Sequence, residues 1–105
     1  MASYQEIAAE LHTSPRDIPT APVRPGYRPR WFYAYEEGGT IYVESGRSHD
    51  PKSSISGRRR LSENDFSPML DLYKRRKNGE RISSEALART RCQVYWYGIF
   101  QDFGL

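Results

Sequence analysis

Polar and apolar positions follow two different periods along this chain, and the changes of period mark its elements. Over residues 4–12, Tyr4, Ile7, Ala8 and Leu11 recur at helical spacing and define one apolar face. Ser3 stands before them with Glu6 three residues on, the capping-box arrangement that satisfies backbone N–H groups at a helix start. The pattern predicts a helix over 4–12. A helix that short is marginal alone, so its stripe must dock on something.

Five prolines follow, Pro15, Pro19, Pro22, Pro25 and Pro29. Each fixes φ and removes a donor, so 13–30 reads as an extended proline-rich arm and not as a helix. It either lays Arg24, Arg28 and Arg30 along a partner or packs as a connector on the domain's own surface. The period then becomes two. Trp31-Phe32-Tyr33-Ala34-Tyr35 and Thr40-Ile41-Tyr42-Val43-Glu44 flank Glu36-Glu37-Gly38-Gly39, which predicts a β-hairpin over 31–44. Alternation puts Trp31, Tyr33 and Tyr35 on one face and Phe32 and Ala34 on the other. One face meets the core; the other meets a second layer or stays open as an amphipathic platform.

Residues 45–60 are loaded with Ser, Gly and Arg and read as a long flexible loop, a length that compact domains keep mainly for function. After it, Ser62 caps a helix with Asp65 at N3. Phe66, Met69, Leu70 and Tyr73 form its stripe, Pro68 sits in its first turn, and Asn78-Gly79 ends it. The basic run Lys74 to Lys77 falls in the last turn, where cations complement the helix dipole without any ligand. A further helix over SEALART runs into Cys92 to Phe100, which is apolar at nearly every position. There the residue types favour strand and Gly98 disfavours a helix interior. The reading preferred is helix to about Arg91 and then a strand joining the hairpin; the rival is one buried helix to about Phe103. The fold expected is α+β: a small single domain in which an aromatic antiparallel β-hairpin, or a three-stranded sheet, packs against two or three helices.

Composition narrows the classes. A chain of 105 residues supports one domain. The lone Cys92 excludes an internal disulfide, removes the disulfide-scaffold class and points to a reducing compartment or to indifference to redox state; the default address expected is the cytoplasm. It precedes an aromatic run and reads as a core residue, not a nucleophile. No run approaches the roughly 20 apolar residues of a membrane span, and the acidic start is unlike a secretory signal. His12, His49 and Cys92 lack metal-ligand spacing, so neither metal nor cofactor is expected.

The net charge is only +3, but thirteen of the sixteen basic residues are arginine, whose planar fork suits phosphates and ring faces. Between 24 and 60, eight bases face four acids. Arginines interleaved with rings, in RPGYRPRWFYAY and RCQVYWY, are what single-stranded nucleic acid requires: rings stack bases and guanidinium groups meet phosphates. The function expected is non-enzymatic nucleic-acid binding through Arg28, Arg30, Arg47, Lys52, Arg58, Arg59, Arg60, Arg75 and Arg76. Three other readings compete. Exposed rings and arginines also mark protein interfaces, so a protein partner or a homo-oligomer fits the same composition. His49, with Asp50 and nearby arginines, has the residues for a small phosphodiester-cleaving enzyme. The region 80–98 has the outline of a helix-turn-helix, with Arg89, Arg91 and Gln93 as its only base readers.

Overall fold

The hairpin is the element from which the rest is built. Gly38 and Gly39 have φ of +61° and +86°, as a two-residue type I′ loop demands, and they join β2 (Trp31–Glu37) to β3 (Thr40–Ser45). In this computed structural model, which describes residues 3–21, 28–90 and 92–105, two short strands extend the hairpin on either side. Strand β1 (Arg16–Pro19) pairs with β2, and β4 (Arg59–Leu61) pairs with β3, giving a four-stranded antiparallel sheet in the order β1-β2-β3-β4.

Four helices complete the α+β fold. They are α1 (Tyr4–Thr13), α2 (Phe66–Lys77), α3 (Ser83–Arg89) and α4 (Gln93–Asp102), with a turn of 3-10 helix over Glu63–Asp65 leading into α2. Ser3 Oγ accepts the Glu6 N–H at 3.2 Å and starts α1. The tyrosine one residue later ties that helix to the sheet. Tyr4 is buried, and its hydroxyl donates to the Leu61 carbonyl at 2.6 Å and accepts from the Ile41 N–H at 2.9 Å.

Every helix packs on one side of the sheet or on another helix. Ile18, Phe32, Ala34, Ile41, Val43 and Leu61 all turn to that side and are essentially inaccessible. Helices α1 and α4 cover them, α2 lies on α4, and α3 lies on α2. Trp96, Phe66, Phe100 and Tyr4 form the aromatic centre, with ring centroids 5.6–6.3 Å apart in tilted and edge-on pairs.

Three expectations are corrected by this arrangement. Residues 93–102 form a helix, not a strand joining the hairpin, and the glycine that argued against a helix is what lets the helix fit. A Cβ on Gly98 would stand 2.7 Å from the Pro19 carbonyl oxygen and 2.9 Å from Phe32 Cε1. With no side chain there, α4 settles directly onto β1 and β2, and Trp96, Tyr97, Ile99 and Phe100 are fully buried. The proline arm is extended at 16–19, but as a strand paired with β2 and not as a polyproline path, and proline is tolerated at its end because an edge needs fewer donors. Arg24 and most of the remaining arm, residues 22–27, lie outside the described residues. The 45–60 segment is not a free loop, because Gly46, Ser53 and Ile55 are buried and its end enters β4.

The tight seat of α4 makes Gly98→Ala costly. Overpacking against a backbone oxygen should remove about 1–3 kcal/mol of stability, read as a lower urea midpoint with an unchanged slope. Conversely, the buried Tyr97 hydroxyl has no hydrogen-bond partner among the described residues. Tyr97→Phe should therefore leave the midpoint unchanged or raise it, since it removes an unsatisfied polar group.

Candidate functional site

The side of the sheet turned away from the helices carries a second set of rings. Strand alternation and register place Trp31, Tyr33 and Tyr35 of β2, Tyr42 of β3 and Asp17 of β1 on that side, with Tyr35 opposite Tyr42 and Asp17 opposite Tyr33. Tyr33 and Tyr35 lie 5.7 Å apart by centroid, and Tyr35 stacks on Tyr42 at 5.8 Å. All four rings are partly exposed. Cations lie over two of them: the Arg47 guanidinium is 3.8 Å from the Tyr33 centroid and Arg58 is 3.9 Å from that of Tyr42. Both side chains stay open to solvent, 57% and 45% exposed.

Carboxylates hold these stacks in place. Arg58 pairs with Glu37, and hydrogen bonds to Tyr35 and Glu37 keep its proton bound even more firmly than usual. Arg47 lies 3.8 Å from Glu44. At the other end of the row, Asp17 organises the segment after β3. Its carboxylate accepts the backbone N–H groups of Arg47, Ser48 and His49 at 2.7–3.1 Å and faces His49 Nδ1 at 3.1 Å. Burial alone would raise the Asp17 pKa, but these donors outweigh it and hold the carboxyl below its ordinary value. His49 in turn stacks on Trp31, with centroids 4.0 Å apart and planes 20° from parallel. The Trp31 backbone completes the seam: its N–H donates to Pro51 O, and its carbonyl accepts from Gly46 and Ser53.

The cations named from sequence fall into separate groups. Arg47 and Arg58 belong to the ring row. Lys52 lies beside it, bridged in backbone to Trp31 and paired with Asp50 at 2.8 Å. Arg60 is opposite Tyr42 on the edge strand, where it lines an open depression with Thr40, Ser62 and Asn64. Arg28 and Arg30 are exposed just before β2, and the Arg30 N–H is held by Thr20 Oγ1 at 3.0 Å. Arg59 alternates to the helix-bearing side, near Tyr95. Arg75 and Arg76 sit in the helical layer, away from the row. Arg75 is engaged by Glu80 at 3.1 Å and Glu85 at 2.8 Å, and Arg76 lies over Tyr97. Of the helix-turn-helix readers, Arg89 pairs with Asp65 at 2.8 Å, Gln93 is half-buried, and Arg91 lies outside the described residues.

Sequence reasoning identifies the rings but not Asp17, whose role depends on a partner thirty residues away. Among the described residues no group of three or more His, Cys, Asp or Glu side chains could hold a metal ion, and no helix is long and apolar enough to cross a membrane. Cys92 is buried. Comparison with protein-family models, curated proteins and solved structures finds no match to this chain.

The Asp17 clamp predicts a signed pH dependence. A carboxyl whose folded pKa is depressed adds stability above its unfolded pKa and loses it as pH falls through the folded one. Asp17→Asn should therefore cost about 1–3 kcal/mol at neutral pH by weakening several donor hydrogen bonds. That deficit should shrink on acidification, as denaturant titrations at a series of pH values would show. A deficit constant across the acid range would mean that the charge on Asp17 plays no part.

Proposed function

We propose that the helix-free sheet face binds single-stranded nucleic acid. The observation that carries this reading is the row Trp31, Tyr33, Tyr35 and Tyr42, half-exposed on an open sheet, with the guanidinium groups of Arg47 and Arg58 over two of its rings. Alternate residues on one strand face stand about 6.8 Å apart. That is about twice the 3.4 Å rise of stacked bases, so a strand laid along the row would be drawn out with its bases separated. Separated bases need new stacking partners. Tyrosine rings supply them directly, and a guanidinium held over a tyrosine supplies the same surface with N–H groups at its edge for phosphate.

Local ion pairs decide how the energy divides. Arg47, Arg58 and Lys52 each meet a carboxylate, so much of their charge is offset before any ligand arrives. Exposed Arg28 and Arg30, near one end of the row, and Arg60, opposite Tyr42, have no ion pair among the described residues and carry uncompensated charge. Stacking therefore contributes more than counterion release, and the salt dependence is expected to be moderate. A protein partner fits less well. The cores of protein interfaces are depleted in charge, whereas this row has arginines and glutamates threaded through its centre.

Titrating an end-labelled single-stranded oligonucleotide and following its anisotropy tests the reading. Tyr42→Ala should weaken binding by about 1–3 kcal/mol, the worth of one base–ring stack. Arg28→Ala with Arg30→Ala should flatten log affinity against log salt by about 0.7 for each phosphate no longer neutralised, while Arg75→Ala should leave the slope alone. Oligonucleotides that do not bind at low salt, with a dimer or a bound protein masking the row, would place the function in the interaction class.

A further inference from the structure

At one end of the ring row lies a pair of groups that binding does not require. Asp17 is 2% exposed and His49 is 51% exposed, and they meet through Oδ2 and Nδ1 at 3.1 Å. An ionised carboxylate facing Nδ1 fixes the proton on that nitrogen, so the lone pair of neutral His49 resides on Nε2. Two further interactions lock the ring. The His49 backbone N–H donates to the same Asp17 oxygen at 3.0 Å, and the Trp31 indole lies flat against the imidazole. Nε2 has no hydrogen-bond partner among the described residues. A buried acid orients an accessible imidazole, with its basic nitrogen left open. That is the arrangement a general base requires, and more than a loop clamp needs, since three backbone N–H groups already hold the loop to Asp17.

Two residues back along the chain, Arg47 lies over Tyr33, the next ring of the row. A strand stacked on the row would pass its backbone between that guanidinium and His49. We propose that this face cleaves single-stranded RNA, with His49 Nε2 as general base, Asp17 as its positioning residue and Arg47 as the anion-stabilising group. This inference rests on the nucleic-acid reading above and adds a reaction to it.

The step balances without cofactor or oxidant. Nε2 takes the proton of a ribose 2′-hydroxyl, and the 2′-oxygen attacks the adjacent phosphorus. The new 2′-O–P bond forms as the P–O5′ bond breaks, giving a 2′,3′-cyclic phosphate. The departing 5′-oxygen, at the opposite apex, takes its proton from water, and His49 returns its own proton to solvent, so the imidazole ends neutral. Charge developing on the non-bridging oxygens meets the Arg47 guanidinium. DNA lacks the 2′-hydroxyl, so it would bind and survive.

The test uses the full chain with one end-labelled RNA, the DNA of the same sequence and the fully 2′-O-methylated RNA, reading binding by anisotropy and products by gel. The unmodified RNA should be cut to fragments ending in cyclic phosphate, and the other two should bind intact. His49→Asn keeps an N–H for Asp17 but has no base. It should still bind RNA and lose at least about 100-fold in rate, the lower end of what general base catalysis supplies. In His49→Ala, added free imidazole should restore part of the rate, which a purely structural role for His49 would not allow. RNA bound but uncut, or cut equally fast by His49→Asn, overturns this inference and leaves the binding reading standing. Failure of all three oligonucleotides to bind overturns both.

Discussion

One constraint governs the molecule: the sheet carries helices on a single side, and α4 lies against it so closely that only glycine fits at position 98. That close approach uses up the apolar face of the sheet. Ile18, Phe32, Ala34, Ile41 and Val43 are consumed in the core, and Trp96, Ile99 and Phe100 close over the same layer. No helix among the described residues is left to cover Trp31, Tyr33, Tyr35 and Tyr42 on the other side. An open row of four large rings would ordinarily invite aggregation. Here Arg47, Arg58 and His49 lie over three of them, and each is held there by an acid from β1, β2 or β3. The outer face is therefore amphipathic by construction, aromatic in its plane and charged at its surface.

This construction also determines which cations can act together. The dense run Lys74 to Lys77 looks the most polyanion-seeking in sequence, yet it serves the helical layer. Arg75 joins α2 to Glu85 of α3, Lys77 lies over Tyr73 and reaches the Leu105 carbonyl, and Arg76 caps Tyr97. The cations beside the rings are fewer and mostly paired. An account based on net charge would favour α2; one based on ring stacking favours the sheet, where two guanidinium groups lie within 4 Å of partly exposed rings.

Local chemistry is legible in the sequence and long-range chemistry is not. The hairpin is readable because Gly38-Gly39 and the alternation around them are local facts, and α1 and α2 because a cap and a 3.6-residue stripe are local too. Strands β1 and β4 are not, because RDIP and RRL have little strand character of their own and are strands only by register with the hairpin. Helix α4 escapes the sequence for a related reason. Its β-prone residues and glycine obey a tertiary demand, close approach to Pro19 and Phe32, that overrides propensity. In the site, the interleaving of arginine with rings points to this surface. It gives no way to see that Asp17 reaches across the sheet to organise Arg47, Ser48 and His49, or that Arg59 alternates away from Arg60 onto the helix-bearing side.

The most direct measurement is a residue-by-residue map of amide and indole shifts in the NMR spectrum as a single-stranded oligonucleotide is added. The account predicts changes concentrated on Trp31, Tyr33, Tyr35, Tyr42, Arg47, His49 and Arg58, with the exposed-side Trp31 indole moving and the buried Trp96 indole still. Changes confined to the end of α2, around Lys74 to Lys77, would contradict it.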